Sequence, residues 1–326
     1  MAGLDLSRTF RLASVAVLLT VVAGCTAAVP PAPRVVAPPA PKISLDAVLD
    51  AVSKAPARRV LPADLTPSLA TSAEDVGFDN EKCEAAPRAG RIEPCVFGDR
   101  ASATDVVLYG DSHAGMWLPA LSEIAERRDW RVQFFGKPAC PTLAVTVWNQ
   151  QEQRPFVECD RFRAFVTGRI ASVKPELLII TNESFSQKRG PGRLITPGEW
   201  QAGLAGTLRT LRKFAKNVVV LGDTPVLDQS APECLAAHRD DIAACSTTRT
   251  AATARTWNAA DAGAAESAGA GYIPVLPWLC TAVCMPVIGN VTVYRNRFHL
   301  SATYARMLNG VLEEALVKHF PQDAVP

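Results

Sequence analysis

The segment from Val106 to His113 constrains the fold of this 326-residue chain more than any other stretch. Four apolar residues, Val-Val-Leu-Tyr, run directly into Gly-Asp-Ser-His, and a helical pattern begins just after them. A short continuous apolar run that ends at glycine is typical of a buried parallel strand. Open α/β sheets bind their ligands at the carboxyl ends of such strands, beside helix N-termini. The segment therefore predicts an exposed nucleophile at Ser112, although Asp111 and Ser112 would also suit a simple helix cap.

The rest of the chain alternates between strand-like and helix-like segments. The predicted strands consist mainly of apolar runs, which favours a parallel sheet covered by helices on both faces. We therefore expect a three-layer α/β/α fold with a doubly wound parallel sheet. Strands are predicted at 105–109, 131–135, 176–181, 217–221 and 271–276, and helices at 114–127, 156–170, 197–214, 247–268 and 301–319.

Residues 1–25 have the features of a lipoprotein-type signal peptide. Arg8 and Arg11 precede an apolar run that is too short for a comfortable membrane span. Val-Ala-Gly-Cys at 22–25 resembles the bacterial lipoprotein signal, in which cleavage leaves a lipidated cysteine as the first residue. We expect a lipid on Cys25 to anchor an exported protein at the outer face of the bacterial cytoplasmic membrane. An uncleaved anchor or a conventional signal peptide are the alternatives.

Residues 26–82 are predicted to link this anchor to the folded domain. The first part, to about Pro41, is rich in Pro, Ala and Val, which is typical of a semi-rigid extended tether. Residues 43–80 combine a short helical pattern with several prolines, and we expect a weakly ordered lead-in on the domain surface. The compact domain is predicted to span residues 83–320.

The nine cysteines support an oxidising location. With Cys25 set aside for lipid, the other eight fall along the chain as four sequential pairs with short separations. Many connectivities are open, and we predict pairing between sequence neighbours. The spacing of the last pair would also suit zinc, but no second close pair joins it, so no metal is expected. The predicted disulfides are Cys83–Cys95, Cys140–Cys159, Cys234–Cys245 and Cys280–Cys284.

Composition argues against several other functions. A net charge of +2 without a dense Lys/Arg run gives no reason to expect nucleic-acid binding. The chain has none of the usual phosphate-loop or dinucleotide fingerprints, and serine–histidine chemistry needs no cofactor, so no cofactor is expected.

The base that a serine nucleophile needs can be sought among only four histidines. His113 follows the serine directly, and backbone geometry would usually aim its side chain away. His238 lies in a polar loop between two cysteines, and His319 suits the end of the last helix. His299 remains, just before the closing helix, where a loop can bring it to the same sheet edge as Ser112. Local capping is the alternative role for His299.

Gly-Asp-Ser-His after an apolar strand, together with His-Leu-Ser before a C-terminal helix, resembles the SGNH (GDSL-like) hydrolase superfamily. More closely, the chain is similar to the extracytoplasmic SGNH domain fused to membrane acyltransferases that O-acylate bacterial envelope glycans. Lys-Pro-Ala-Cys-Pro at 137–141 and Val-Leu-Gly-Asp-Thr-Pro at 220–225 fit that subgroup. The resemblance covers about residues 83–320 and implies a flavodoxin-like SGNH hydrolase fold.

The resemblance also implies roles for individual residues. Ser112 would be the nucleophile and His299 its base. The backbone N–H of Ser112, the side chain of Asn182 and the glycine at Gly136 would donate to the oxyanion. Asn182 would equally serve as a turn cap, and Gly136 as a simple turn glycine.

One residue departs from the family pattern, which has aspartate three positions before the histidine, where this chain has Asn296. An aspartate fixes the histidine tautomer and stabilises the imidazolium, whereas a neutral amide orients the ring without stabilising its charge equally. Three outcomes are open. His299 is oriented by Asn296 or a backbone carbonyl at a reduced rate, another carboxylate substitutes, or the enzyme is impaired.

Three functions remain as hypotheses. The first is a cell-envelope serine esterase or O-acyltransferase that acts on an acylated glycan or glycolipid through an acyl-serine. As a transferase it would need a separate membrane acyltransferase or a soluble ester as donor, since no other apolar run is long enough to span a membrane. The second is a catalytically impaired lipoprotein that binds envelope glycans or assists an acyltransferase. The third is a purely structural, disulfide-stapled scaffold.

Overall fold

The computed structural model describes residues 42–250 and 254–320. The predicted signal peptide, Cys25 and the predicted tether as far as residue 41 lie outside these ranges. Across the described ranges, no helix combines the length and the apolar composition needed to cross a membrane.

A six-stranded sheet forms the centre of the domain, and it confirms the predicted α/β class. In chain order the strands are β1 (Cys95–Gly98), β2 (Thr104–Gly110), β3 (Trp130–Gly136), β4 (Leu177–Thr181), β5 (Asn217–Leu221) and β6 (Gly271–Ile273). Their spatial order is β1-β3-β2-β4-β5-β6. Strands β2 to β6 are parallel, in the doubly wound order in which chain direction across the sheet reverses between β2 and β4.

Strand β1 differs from the prediction of an all-parallel sheet. It pairs antiparallel with β3 at the sheet edge. The sequence had indicated only a connecting segment that leads to the strand at 105–109. All four residues of β1 are partly exposed, and its apolar run is only three residues long, shorter than the runs of the buried strands β2, β4 and β5. An antiparallel edge strand on a parallel sheet is a common arrangement.

Helices cover both faces of the sheet. They are α1 (Leu45–Lys54), α2 (Asn80–Cys83), α3 (Ser112–Gly115), α4 (Leu118–Arg127), α5 (Val157–Val173), α6 (Pro197–Leu211), α7 (Ala231–Ala237), α8 (Ala254–Ala268), α9 (Ala302–Met307) and α10 (Asn309–Val317). Short strand pairs lie in the connections: Trp148–Asn149 with Arg154–Pro155, Lys188–Gly190 with Arg193–Leu194, Thr247–Thr248 with Val283–Cys284, and Val287–Ile288 with Val291–Thr292.

Alternate residues of β2 contribute to two separate hydrophobic cores. Val106 and Leu108 pack with the helices of one face, including α4 and α10, while Val107 and Tyr109 pack with α5, α6 and α8 on the other. Successive side chains of a strand point to opposite faces, so a continuous apolar run is needed where both faces are covered. This explains why the apolar run before Gly110 marks the central strand of the sheet.

Three predicted helices are divided or begin later in the structure, and the other two differ by three residues or fewer at each end. The helix predicted at 114–127 is two helices, because the chain turns at Met116-Trp117 and restarts with Pro119 in the first turn of α4. The closing helix is interrupted at Leu308, before Asn-Gly, two weak helix formers. The segment predicted as a helix from residue 247 begins instead with a short strand that pairs with Val283–Cys284.

The predicted weakly ordered lead-in is folded onto the domain. Ser44 caps α1 by accepting a hydrogen bond from the backbone N–H of Ala47. Val48 and Val52, one helical turn apart, are buried in the same core as α4 and α10. The helical spacing therefore produces a packed amphipathic helix, and the prolines end it in short turns without unfolding the segment.

Four disulfides have the predicted pairing between sequence neighbours. Cys83–Cys95 links α2 to the edge strand β1, and Cys140–Cys159 links the loop after β3 to α5. Because Cys280 and Cys284 are joined to each other, neither offers a thiolate to zinc. Disulfides persist in oxidising compartments, so the domain is extracytoplasmic.

Glu313 of α10 is a buried charge with three cationic partners, which yields a stability prediction. Its side chain is 3% exposed and contacts Lys42 at 2.9 Å, Arg127 at 2.8 Å and Arg128 at 2.6 Å. We expect Glu313→Gln to lower the free energy of unfolding by about 3 kcal/mol, because it leaves partly buried cations without a counter-charge. Urea unfolding of the variant tests this.

Glu314→Gln is the matched control, since the neighbouring Glu314 is exposed on the same helix. We expect this variant to unfold within about 0.5 kcal/mol of the natural chain. Equal effects of the two substitutions would contradict the account of Glu313.

Candidate active site

The candidate site lies where the doubly wound sheet reverses direction. Gly110, the last residue of β2, pairs with Gly136 at the end of β3 and with Thr181 at the end of β4. The residues that follow these three strand ends therefore meet at one edge of the sheet. Ser112 and Asn182 both lie here, at the position where open α/β sheets bind ligands.

Gly110 allows the strand ends to approach closely. A Cβ atom at this position would lie 2.0 Å from the carbonyl oxygen of Thr181 and 2.8 Å from the Cβ of Ala114. A side chain here would therefore separate β2 from β4 or displace α3. Glycine at this position places Ser112, two residues later, beside the end of β4.

Ser112 and His299 are in hydrogen-bond contact. The Oγ of Ser112, the first residue of α3, lies 2.9 Å from the Nε2 of His299. His299 lies in the loop before α9, which is closed by a bridge between Tyr294 and Leu300 and by the N–H of Arg295 donating to the carbonyl of His299. Ser112 is partly exposed and His299 is nearly buried, so the hydroxyl is the accessible member of the pair.

Asn296 contacts the other nitrogen of the His299 ring. Its Nδ2 lies 2.9 Å from Nδ1 of His299. Its Oδ1 accepts hydrogen bonds from the backbone N–H groups of Phe298, at 3.0 Å, and of His299, at 2.9 Å. These two backbone donors fix the orientation of the amide, because a reversed amide would point its own N–H groups at them.

The amide orientation determines which nitrogen of His299 carries the proton. Since Nδ2 of Asn296 can only donate, Nδ1 of His299 must accept, and the proton of the neutral ring is then on Nε2. In this tautomer Nε2–H donates to Ser112 and cannot take its proton. An aspartate at this position would accept both backbone bonds with one oxygen and the Nδ1–H with the other.

Asp111 organises the strand end beneath the serine. One of its oxygens accepts a hydrogen bond from the N–H of His113 at 2.9 Å, which caps α3. Both oxygens also accept from the N–H of Glu183, at 3.1 and 2.9 Å, which ties the end of β2 to the end of β4. Burial raises the pKa of Asp111 to about 7, while the charge of His113 opposes this rise. Burial likewise raises the pKa of Glu183.

A second histidine–carboxylate pair lies next to the first. His113 is fully buried, and its Nδ1 lies 2.6 Å from Oδ1 of Asp223, which follows β5. The other oxygen of Asp223 accepts from the N–H and Oγ of Ser184, at 2.9 and 2.7 Å. The His113 ring is stacked on Phe298 and lies 5.0 Å, centroid to centroid, from the ring of His299.

The two histidines have opposite electrostatic environments. Burial disfavours a charge on His113, but the charge and hydrogen bond of Asp223, followed by Asp111 and Glu183, raise its pKa to about 9. Burial, followed by the charges of His113 and Arg295, lowers the pKa of His299 to about 2. At neutral pH, His113 is therefore charged and His299 is neutral.

Asn182 and Gly136, the two residues expected to complete the oxyanion hole with Ser112, also have structural roles. Asn182 is 4% exposed; its Oδ1 accepts from the N–H of Thr142, and its Nδ2 donates to the Oγ1 of Thr142 at 3.1 Å. An amide nitrogen carries two hydrogens, so within the described part of the chain one donor of Asn182 remains for a ligand. Gly136 lies at the same edge, but close packing already requires glycine there, since a Cβ would lie 2.2 Å from the ring of Phe134.

A cleft of about 290 Å³ borders this edge of the sheet. Glu183 contributes to its wall, and the N–H of the same residue donates to Asp111 beside the serine. Among the described residues that line the cleft, Glu183 is the one that carries a charge. The others supply mainly aromatic rings, proline rings and amide side chains: Pro87, Pro138, Ala139, Trp148, Asn149, Gln150, Gln151, Phe156, Ser186 and Gln187. The cleft is thus suited to a ligand with apolar and uncharged polar surfaces.

Sequence reasoning did not identify the partnership of His113 with Asp223. The sequence signal was present in the segment 220–225, which ends a buried strand in Gly-Asp-Thr-Pro in the way that β2 ends in Gly-Asp-Ser-His. Parallel strands that each end in Gly-Asp deliver two carboxylates to one sheet edge. The pairing itself depends on side-chain directions that the sequence does not reveal.

Two solved structures are similar to this chain, and the first supports the fold assignment. The periplasmic domain of the lipopolysaccharide acetyltransferase of Salmonella ser. Paratyphi A superposes with a TM-score of 0.53 at 16% identity, over 67% of this chain and 85% of that chain. LAE5, an alpha/beta hydrolase enzyme from the metagenome of Lake Arreo, Spain, gives a TM-score of 0.39 at 12% identity, over 67% of this chain and 96% of that chain. No curated protein sequence matches.

A family model for the SGNH domain described as fused to AT3 domains matches residues 81–314. The match begins in α2 and ends in α10, so it includes the whole central sheet. It also includes Ser112, Asn182 and His299, which the fold brings to one edge of the sheet. The chain therefore belongs to the SGNH domain family.

Proposed function

We propose that this protein is a cell-envelope serine esterase or O-acyltransferase that acts through an acyl-serine on Ser112. The observation that carries the proposal is the 2.9 Å contact between the Oγ of Ser112 and the Nε2 of His299 at the carboxyl edge of the sheet. A hydroxyl paired with an imidazole, next to the N-terminus of a helix, is suited to nucleophilic attack on an ester.

In the proposed reaction, the Oγ of Ser112 forms a bond to the acyl carbon while its proton passes to Nε2 of His299. The backbone N–H of Ser112 and the remaining Nδ2–H of Asn182 stabilise the oxyanion, and Gly136 is a further candidate donor. Collapse breaks the ester bond, and His299 returns the proton to the leaving alkoxide. Water or a sugar hydroxyl then attacks the acyl-serine, with His299 as the base again.

The amide of Asn296 makes this reaction slow. For His299 to accept a proton at Nε2, its own proton must be on Nδ1, which requires an acceptor in place of the Nδ2 of Asn296. Turning the amide provides that acceptor but gives up two backbone hydrogen bonds, each worth about 1 kcal/mol. The reactive arrangement is then a minority form.

An acylated glycan or glycolipid is the proposed substrate class. The cleft lined by Glu183 at this edge of the sheet supports it, because aromatic faces and amides suit the apolar faces and hydroxyls of a sugar. The similar periplasmic domain from Salmonella is named as part of a lipopolysaccharide acetyltransferase. As a transferase, this domain would work with a separate membrane acyltransferase, held near it by the proposed lipid on Cys25.

A non-catalytic role is the second candidate, and the orientation of Asn296 favours it. If the minority tautomer is never used, the domain would bind envelope glycans or assist an acyltransferase without forming an acyl-serine.

Labelling with a fluorophosphonate separates the two candidates. We expect the exported, disulfide-intact protein to gain a single adduct by intact-mass analysis, and Ser112→Ala to gain none. The thermal unfolding midpoint of each sample serves as the control for folding. A folded natural chain that stays unlabelled under conditions that label a known serine esterase would overturn the catalytic proposal and leave the non-catalytic one.

A further inference from the structure

The candidate site contains a buried ion pair that the proposed acyl transfer does not use. His113 and Asp223 are 0% and 2% exposed, and their charged atoms are 2.6 Å apart. Burying two charges is costly unless the geometry is good and the remaining polar atoms are satisfied. Asp223 is satisfied by Ser184, but Nε2 of His113 has no hydrogen-bond partner among the residues that the structure describes. Hydrophobic residues in place of this ion pair would avoid the cost of burying two charges, so its presence beside the proposed nucleophile calls for a functional explanation.

His113 is not placed to act as the base itself. The contact of the Ser112 hydroxyl is with His299, and the Nδ1 of His113 is engaged by Asp223. Phe298 covers the His113 ring and also lies against His299, with ring centroids 5.6 and 4.6 Å away respectively. The two imidazoles are thus held at a fixed separation with one aromatic ring in contact with both.

We propose that His113, held by Asp223, is a positioning residue whose buried positive charge keeps His299 neutral. This inference rests on the proposed function, in which His299 must be unprotonated to receive the proton of Ser112. A second positive charge 5.0 Å away, between two buried rings, strongly disfavours an imidazolium at His299. The same repulsion makes a protonated His299 a better acid, so it speeds the return of the proton to the leaving group.

The other charged groups around the two rings are accounted for. Asp111, Glu183 and Asp223 face His113 from the ends of β2, β4 and β5, and all three favour its charged form. Arg295 faces His299 from the same loop and, like His113, opposes a charge on it. The three carboxylates therefore act on His299 through the charge of His113. Removing the charge of Asp223, which contacts His113 directly, should then raise the pKa of His299.

The experiment follows the protonation of each histidine by NMR in protein labelled with ¹⁵N-histidine. The chain contains four histidines, and single His→Gln variants assign their signals. In the natural protein at pH 7, we expect both ring nitrogens of His113 to be protonated and His299 to be neutral. In Asp223→Asn, we expect His113 to become neutral and the midpoint of His299 to rise by about one pH unit or more.

His113→Gln is the second variant, since it removes the same charge without changing Asp223, and we expect it to raise the His299 midpoint as well. Glu313→Gln is the matched control, because Glu313 is another buried, ion-paired carboxylate but its partners are Lys42, Arg127 and Arg128. A structural role alone would lower stability in Asp223→Asn and Glu313→Gln without moving the His299 midpoint in either.

A neutral His113 at pH 7 in the natural protein, or an unchanged His299 midpoint in folded Asp223→Asn and His113→Gln, would overturn this inference. The titration needs no turnover, so its outcome is separate from that of the proposed function. If His299 shifts as expected while Ser112 resists fluorophosphonate, the electrostatic coupling stands and the acyl transfer fails.

Discussion

Asn296→Asp is expected to accelerate the reaction of Ser112 by about 10²- to 10⁴-fold. In the natural chain, Oδ1 of Asn296 is occupied by the N–H groups of Phe298 and His299, and its Nδ2 forces the proton of His299 onto Nε2. A carboxylate in the same position keeps both backbone bonds with one oxygen and accepts Nδ1–H with the other. The ring then presents a free Nε2 to Ser112 and gains a counter-charge when protonated.

The size of this expectation follows from the reverse change in other enzymes. In Ser-His-Asp triads, replacing the aspartate by asparagine lowers kcat about 10⁴-fold, because the histidine is held in the wrong tautomer. We expect kcat/KM for an activated aryl acetate and the rate of fluorophosphonate labelling to rise together. Both gains should disappear in Asn296→Asp combined with Ser112→Ala or with His299→Gln. A gain that persists without His299, or no gain in a folded variant, would contradict the tautomer argument.

Gly110→Ala is expected to destabilise the domain by about 3 kcal/mol and to slow labelling of Ser112 at least about tenfold. The added methyl group would meet the carbonyl of Thr181 at 2.0 Å, and the backbone cannot yield without moving one strand end away from the other. Ser112 is two residues after Gly110, and Asn182 directly follows Thr181. Moving the two strand ends apart therefore increases the distance between the nucleophile and the proposed oxyanion donor. Urea unfolding and the labelling rate of the folded fraction measure the two effects separately.

Gly198→Ala provides the control for the loss of a glycine. Gly198 is exposed in the first turn of α6, and no atom lies within 4 Å of the position that its Cβ would take. We expect this variant to be as stable as the natural chain or more stable by about 0.5 kcal/mol, with unchanged labelling. Similar destabilisation by both substitutions would show that the close approach at Gly110 is not the cause.

The sequence predicts the layers of this fold well because the central strands are buried on both faces. Strands β2, β4 and β5 each contain a continuous apolar run, and the prediction for β5 matches the structure at both ends. The edge strand β1, Cys-Val-Phe-Gly, has only three apolar residues before its glycine, and this short run gave no comparable signal. The α1 segment was identified as helical by its spacing, but the prolines after it obscured the fact that Val48 and Val52 are core residues.

For the site, the sequence indicated which residues meet but not how their hydrogen bonds are arranged. Ser112 and His299 were predicted from residue type and position, and they lie 2.9 Å apart. The effect of Asn296 depends on which end of its amide faces the ring, and this is set by two backbone N–H groups that only the folded loop supplies. The charge of His113 likewise depends on Asp223, more than 100 residues away in the chain, so its contribution could not be predicted locally.

The most direct test of the account is to trap the acyl-serine itself. The natural protein, Asn296→Asp and Ser112→Ala are each mixed with an activated aryl acetate, quenched in acid and analysed by intact mass and peptide mapping. We predict one acetyl group on the peptide that carries Ser112, formed slowly in the natural chain and rapidly in Asn296→Asp, and none in Ser112→Ala. Acetylation that does not depend on Ser112, or its absence from folded Asn296→Asp, would contradict an acyl-transfer function for this site.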